Sequence, residues 1–352
     1  MQLAAVVCAD WSAARRGREV FAARVAARLV ERLDPLSDGW TVAGVLDQAQ
    51  ALARELDGAV LVGFDAALGV PQSYWARAPF AVASWATIRR FPDWLDLAAR
   101  DPAFFEPAAR PEAWSVARPF YRVPPRPGGR RDFEKALRAA GVEPLRRIEQ
   151  LTGAQSVFVL GGVPGAVGAA AADLWRGLAE ARTSLPRPRL WPFEAALDEP
   201  RAGPRVVVGE IYPRLAYGLA LGEEQVEARS RLAISKNGAR ARSEALAALA
   251  GMPWVRRHGA RLLGLELALA SADAFDALLA CAGLLRVVLE QTLLSREDLE
   301  DGLAEGGILG SGSVNLELPE RRFQRLPKPR PTPRTPKPAS RRAPPARAVR
   351  RP

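Results

Sequence analysis

The chain has 352 residues, 48% apolar and 25% charged, the balance of a globular protein long enough for one large core or two modest ones. Its net charge of +11 is uneven, because twelve of the 50 Lys and Arg and none of the 39 acids lie in residues 321–352, so the first 320 residues are near neutral and basicity is no argument for a nucleic-acid-binding core. Two cysteines argue against a disulfide scaffold, and a single histidine argues against a histidine-rich zinc site or a Ser-His-Asp triad.

In chain order, the apolar run 3–9 predicts a buried strand ending at Asp10, followed by a turn from Trp11 through Gly17. Strands are predicted over 19–25, forming a hairpin with the first, and over 29–33. Residues 41–56 place Val42, Val45, Leu46, Ala49, Leu52 and Leu56 at helical spacing, and 59–64 is a continuous apolar strand closed by Asp65. Residues 72 to about 130 read as an irregular insertion with short helices. It is rich in Pro, carries Trp75, Trp85, Trp94 and Trp114, and ends in a basic cluster at Arg118, Arg122, Arg126, Arg130 and Arg131. Helices are predicted over 132–150, 166–181, 240–250 and 272–291, and a strand over 205–211 with Glu210 near its end. Ser295 and Asp298 have the spacing of a capping box for a short last helix. The expected organisation is one α/β domain over 1–320, with an insertion of about 72–200. Residues 321–352, with nine prolines and hardly any apolar side chains, are expected to be a disordered basic tail, solvated or making salt-sensitive polyanion contacts.

No basic stretch precedes the first apolar run, so no signal peptide is expected. The longest apolar stretch, 274–289, is interrupted by Asp276 and Arg286 and is short for a membrane span. Cys8 and Cys281 both lie in apolar runs and read as buried thiols. The cytoplasm is the expected location, with no membrane partner.

The acids carry the chemistry. Asp10 and Asp65 each end an apolar strand. Asp273 and Asp276, three apart at the start of an apolar helix, share one of its faces. Glu210 sits on an otherwise apolar strand, and a lone charge at Asp276 among Phe275, Ala277, Leu278 and Leu279 would be costly to bury unpaired. A strand-ending Asp can simply begin a turn, and Asp273 is open to a second reading as a helix N-cap. Carboxylates converging from separate elements suit Mg²⁺ or Mn²⁺, and two such ions can flank an in-line displacement at phosphorus.

Six segments in order, Ala9-Asp10-Trp11-Ser12, Gly63-Phe64-Asp65 with Gly69-Val70-Pro71, Gly209-Glu210-Ile211-Tyr212-Pro213, Ser235-Lys236-Asn237-Gly238 with Arg242, Asp273-Ala274-Phe275-Asp276-Ala277 and Glu305-Gly306-Gly307-Ile308, span most of residues 1–310. In these the chain resembles the ribonuclease-H-like nucleases grouped as domain of unknown function 429, which are similar to Holliday-junction resolvases. The resemblance implies a five-stranded mixed sheet flanked by helices, with catalytic acids at Asp10, Asp65, Glu210 and Asp276, and Asp273 beside them.

The resulting expectation is a divalent-metal-dependent nuclease acting on DNA or RNA. Asp10, Asp65, Asp273 and Asp276 are the metal candidates, and Glu210 completes the site or orients water. Lys236, one of four lysines, meets the scissile phosphate or is an exposed loop residue. Ser12, Arg214, Arg240 and Arg242 are candidate substrate contacts. The tryptophans of the insertion either build its core or stack bases. His258 is expected in a surface turn, and the glycines at 161, 162, 165 and 168 in a structural turn, since no GxxxxGK[ST] pattern is present. Two rivals are an actin-like kinase or ATPase, which shares the strand order but wants a glycine-rich phosphate loop after its first strand, and a non-catalytic nucleic-acid- or partner-binding protein.

Overall fold

The computed structural model describes residues 3–124, 129–163, 166–183, 186–194 and 203–323. Strands β1 (Leu3–Asp10), β2 (Glu19–Arg24) and β3 (Leu29–Arg32) form an antiparallel meander. Helix α1 (Val42–Glu55) carries the chain across to β4 (Ala59–Phe64), which pairs parallel with β1. Thr41 caps α1 by accepting from the Gly44 amide at 3.0 Å, which is why the helix starts at Val42, one residue inside the predicted range.

Late in the expected insertion comes β5 (Arg189–Leu190), followed by β6 (Arg205–Glu210) and β7 (Arg261–Leu262), giving a mixed sheet in the order β7-β3-β2-β1-β4-β6-β5. The sheet thus has seven strands and not the five expected. The two additions, β5 and β7, are two residues long, too short to show a period of two, and exist only because an edge strand offers them partners.

Alternation along the strands builds two cores. Ala5, Val7, Ala9, Val60, Val62, Phe64, Val206 and Val208 face α1, the insertion and α2 (Gly168–Ala181). Val6, Cys8, Phe21, Leu61 and Val207 face α3 (Pro213–Leu221), α4 (Ala239–Ala250) and α5 (Ala272–Leu289). Cys8 and Cys281 are free and buried in this second core. The apolar α5 is absorbed there, and among the described residues no helix is long and apolar enough to cross a membrane.

The insertion is built around Trp94, whose ring lies 5.3–6.2 Å from those of Tyr74, Trp75, Trp85, Phe91, Phe104 and Trp175. Trp75, Trp85 and Trp94 are buried, so they are core and present no stacking platform. Trp114 is partly buried and gives its indole N–H to the Pro119 carbonyl at 3.0 Å.

Several expectations are corrected. The helix predicted over 132–150 is two, Arg130–Ala139 and Arg147–Thr152, broken at Gly141, whose φ of +70° no helix accepts, and at Pro144. Helices Pro213–Leu221, Pro253–His258 and Leu265–Ala270 were not anticipated, and His258 ends the second of these and does not sit in a surface turn. Ser295 caps nothing; Arg296 precedes the single turn Glu297–Leu299 and pairs with Asp298 at 2.9 Å. The C-terminal boundary also moves, because Arg321–Arg322 pair with Leu232–Ala233. Residues 324–352 of the expected tail, together with Arg126 and Gly165, lie outside the described residues.

Candidate functional site

Because β1 and β4 are adjacent, parallel and in register at Ala9–Phe64, their following residues emerge side by side, and the Asp65 amide donates to the Ala9 carbonyl at 3.0 Å. Asp10 and Asp65 therefore stand together at the carboxyl edge of the sheet, the edge where open α/β sheets hold their ligands. Helix α5 runs in against β1 and β2 with its first turn at the same edge. Its N-cap is Ser271, which accepts from the amides of Asp273 and Ala274 at 3.2 and 3.3 Å. Asp273 is thus not the cap, and its carboxylate reaches the β1–β2 turn. There a Cβ on Gly17 would lie 2.6 Å from Asp273 Oδ2 and push that carboxylate aside, and the φ of +94° at this position favours glycine in any case.

One helical turn on, Asp276 is buried with both oxygens engaged. The Tyr217 hydroxyl of α3 donates to Oδ1, and the Lys236 ammonium, from the turn before α4, donates to Oδ2. By contrast, Asp10 and Asp65 have no side-chain hydrogen bond or ion pair among the described residues.

The electrostatics describe one coupled cluster. Burial, and then the charges of Asp65 and Asp276, push the Asp10 carboxyl well above its ordinary range, opposed by Lys236. Burial and Asp276 push Asp65 up to about 8, again opposed by Lys236, with Glu210 adding to the rise. Asp276 is raised by burial, against Lys236 and the Tyr217 hydrogen bond. Burial alone would lower Lys236, but Asp276, Asp10 and Asp65 overcome it and hold the ammonium charged. Three carboxylates share one cation, an arrangement short of positive charge.

The donor set is oxygen-only and hard, the chemistry that Mg²⁺ and Mn²⁺ prefer, and two of its members are free of other partners, so the residues fit such an ion. As they stand, no three His, Cys, Asp or Glu side chains among the described residues close into a ready ion-binding group. Lys236 occupies Asp276 in that arrangement.

Glu210, expected to complete the site or orient water, has donors on both its oxygens. Arg146, fully buried, grips both its oxygens at 2.8 Å, and the Leu68 amide donates to Oε2 at 2.8 Å. Arg146 also donates to Glu149 at 3.0 Å and to the Glu305 carbonyl at 2.9 Å. Glu210 thereby fastens the loop that follows Asp65 and has no oxygen left free of a donor.

Of the expected substrate contacts, Ser12 lies beside Asp10 but uses its hydroxyl within the turn, on the Ala14 carbonyl at 2.7 Å. Arg214 pairs with Glu320 at 2.9 Å, and the exposed Arg240 with Glu244 at 3.0 Å. Arg242 is buried and donates to the carbonyls of Leu269, Lys236 and Ala270 at 2.9, 2.5 and 3.3 Å, pinning the lysine turn to the segment that enters α5. Arg242→Ala is expected to cost about 2–3 kcal/mol and to speed amide hydrogen exchange across 235–238; unchanged protection there would rule out this pinning.

Sequence reasoning missed Tyr217, Arg146 and the group around Arg18. The Arg18 guanidinium lies 3.8 Å over the Trp11 ring and donates to the Ser12 and Trp40 carbonyls at 2.7 and 2.9 Å and to Asp173 at 2.7 Å, while the Trp11 indole N–H reaches Asp173 at 3.1 Å. This ties the turn after Asp10 to α2. Tyr217 had a usable signal, since Pro213 followed by Leu215, Ala216, Leu219 and Ala220 has helical spacing, and a tyrosine on that buried face needs a hydroxyl partner. A cavity of about 530 Å³ lies elsewhere, lined by Arg100, Phe105 and Arg176 among others, and none of the clustered acids borders it.

The chain belongs to the family described as protein of unknown function (DUF429), whose profile matches residues 4–298. No curated protein and no solved structure matches it.

Proposed function

We propose that this DUF429 chain is a divalent-metal-dependent nuclease with a ribonuclease-H-like core, hydrolysing DNA or RNA phosphodiesters at the Asp10–Asp65–Asp276 cluster. The observation that carries the reading is the convergence of three carboxylates, from two neighbouring parallel strands and one helix, on a single edge of the sheet. The strand order supports it: within the seven, β3-β2-β1-β4-β6 has an antiparallel meander followed by two strands parallel to β1. The absence of a glycine-rich loop after β1, where Trp11 and Ser12 stand, weighs against the kinase or ATPase alternative.

In this reading Asp10, Asp65 and Asp276 hold Mg²⁺ or Mn²⁺, with Asp273 adding negative charge at the rim. When bound, the ions supply a water of lowered pKa for in-line attack and offset charge on the phosphate. Tyr217 orients Asp276. Lys236 brings a compact positive charge to the scissile phosphate. Glu210 acts as a positioning residue through Leu68, and Arg18 with Asp173 keeps the turn after Asp10 from drifting.

The test is a panel of single-stranded, duplex and branched DNA and RNA, incubated with Mg²⁺ or Mn²⁺ and with chelator. Wild type is expected to cleave at least one substrate in a metal-dependent way, and Asp10→Asn none. Equal cleavage by both proteins would assign the activity to a contaminant or another site. ATP hydrolysis without cleavage would favour the kinase or ATPase, and tight binding indifferent to metal and to Asp10→Asn would favour a non-catalytic binder.

A further inference from the structure

We propose that Lys236 is a built-in counter-cation which an incoming divalent ion displaces from Asp276, so that loading the carboxylate cluster also releases the ammonium toward the substrate. The substrate end of this statement rests on the nuclease reading above; the exchange itself concerns only the lysine, the carboxylates and the ion.

Each oxygen of Asp276 already has a donor, Tyr217 on one and the Lys236 ammonium on the other, so an ion arriving at Asp276 meets a positive charge in its place. Of the two partners, Tyr217 cannot leave. It is buried on α3, which packs against α5, and a hydroxyl removed from Asp276 there would face apolar surroundings. Lys236 can leave, because its side chain is 37% exposed and sits on the exposed turn Ser235-Lys236-Asn237-Gly238.

The backbone of that turn is held. Arg242 grips the Lys236 carbonyl, the Lys236 amide donates to Ile234 at 2.8 Å, and Gly238 donates to Ser235 at 3.0 Å. What is left to move is the flexible four-carbon stem, swinging about a fixed pivot. A divalent ion brings two positive charges where the ammonium brought one, in a cluster of three carboxylates, so the exchange runs in the direction that the local charge favours. It also accounts for the lack of a closed ligand group among the described residues: the cluster is held shut on its own lysine.

Only four lysines, at 135, 236, 328 and 337, occur in the chain, which makes the exchange measurable on the intact protein. The protein is titrated with Mn²⁺ by calorimetry, and its lysines are then acylated by an amine-reactive ester with and without saturating Mn²⁺ and mapped by peptide mass. Labelling of Lys236 relative to Lys135 is expected to rise about fivefold or more as its bonded population falls, and chelator is expected to reverse the change. Lys236→Met, which removes the competitor, is expected to bind Mn²⁺ about five- to tenfold more tightly. Bound Mn²⁺ with unchanged or reduced Lys236 labelling overturns the exchange and leaves the nuclease reading standing. No Mn²⁺ binding at all overturns both. Should Lys236→Met fail to fold, the labelling of the wild-type chain decides alone.

Discussion

Asp65→Asn is expected to abolish metal-dependent cleavage and, at the same time, to make the metal-free protein more stable. The loss follows from removing one of two carboxylates that have no partner of their own among the described residues, and should reach about 10³-fold. The gain follows from the same environment. Burial and Asp276 raise Asp65 from its ordinary 3.8 to about 8, so the fold prefers the protonated, neutral form. A group that binds its proton more tightly in the folded than in the unfolded state stabilises the protein below its unfolded pKa. That contribution is lost as pH rises through the folded value, here between about 4 and 8. Metal-free wild type should therefore lose stability across this window. Asparagine, neutral throughout and of the same shape, should flatten that component and melt higher at pH 8.5, by about 0.5–2 kcal/mol. Thermal unfolding in chelator at pH 5 and pH 8.5 reads this directly. A variant that melts below wild type at pH 8.5 would show that Asp65 does not stand among uncompensated acids, and the proposed site would lose its basis. The two arms separate function from folding, since a misfolded protein would lose both.

The largest loss of stability is expected from Arg146→Met. The guanidinium is fully buried and joins Glu210 of β6, Glu149 of the short helix Arg147–Thr152 and the carbonyl of Glu305, whose carboxylate in turn accepts from the amides of Gln72 and Arg147 at 2.8 and 2.9 Å. Three segments far apart in sequence, those of Arg146 with Glu149, of Glu210 and of Glu305, meet at this one side chain. Breaking such a pair from one side strands the other charges in the core, at a cost of about 3–5 kcal/mol. Burial already lifts Glu149 to about 7 with the arginine in place, and without it Glu149 should take up a proton at neutral pH. Urea unfolding at pH 7.5 checks the cost. The triple change Arg146→Met, Glu149→Gln, Glu210→Gln should recover a large part of it, because no charge then remains unpaired. A single variant within about 1 kcal/mol of wild type would mean that the network is open to water, and Glu210 would return to consideration as a free acid of the site.

Much of the frame was readable from residues alone. Apolar runs closed by Asp10 and Asp65 mark β1 and β4, and the spacing of Val42, Val45, Leu46, Ala49 and Leu52 marks α1, because burying one face of a regular element writes its period into the chain. The three-residue spacing of Asp273 and Asp276 already placed both on one face of α5. Those signals are local, and local physics suffices to read them.

What only the tertiary structure decided is which charges are satisfied. Glu210 looks like Asp65 in sequence, a carboxylate at the end of an apolar strand. One is saturated by Arg146 and Leu68, while the carboxylate of the other has no hydrogen-bonding partner among the described residues, since Arg146 arrives at Glu210 from 64 residues away. Arg242 reads as a phosphate contact until its three carbonyl partners are seen, and Tyr217 is silent until α3 lies on α5. Edge strands two residues long are invisible for the same reason, being defined by a neighbour and not by a period. Periodicity records how an element meets its core, but hydrogen bonds and ion pairs reach only a few ångströms. Their partners are therefore chosen by the fold and not by the order of residues along the chain.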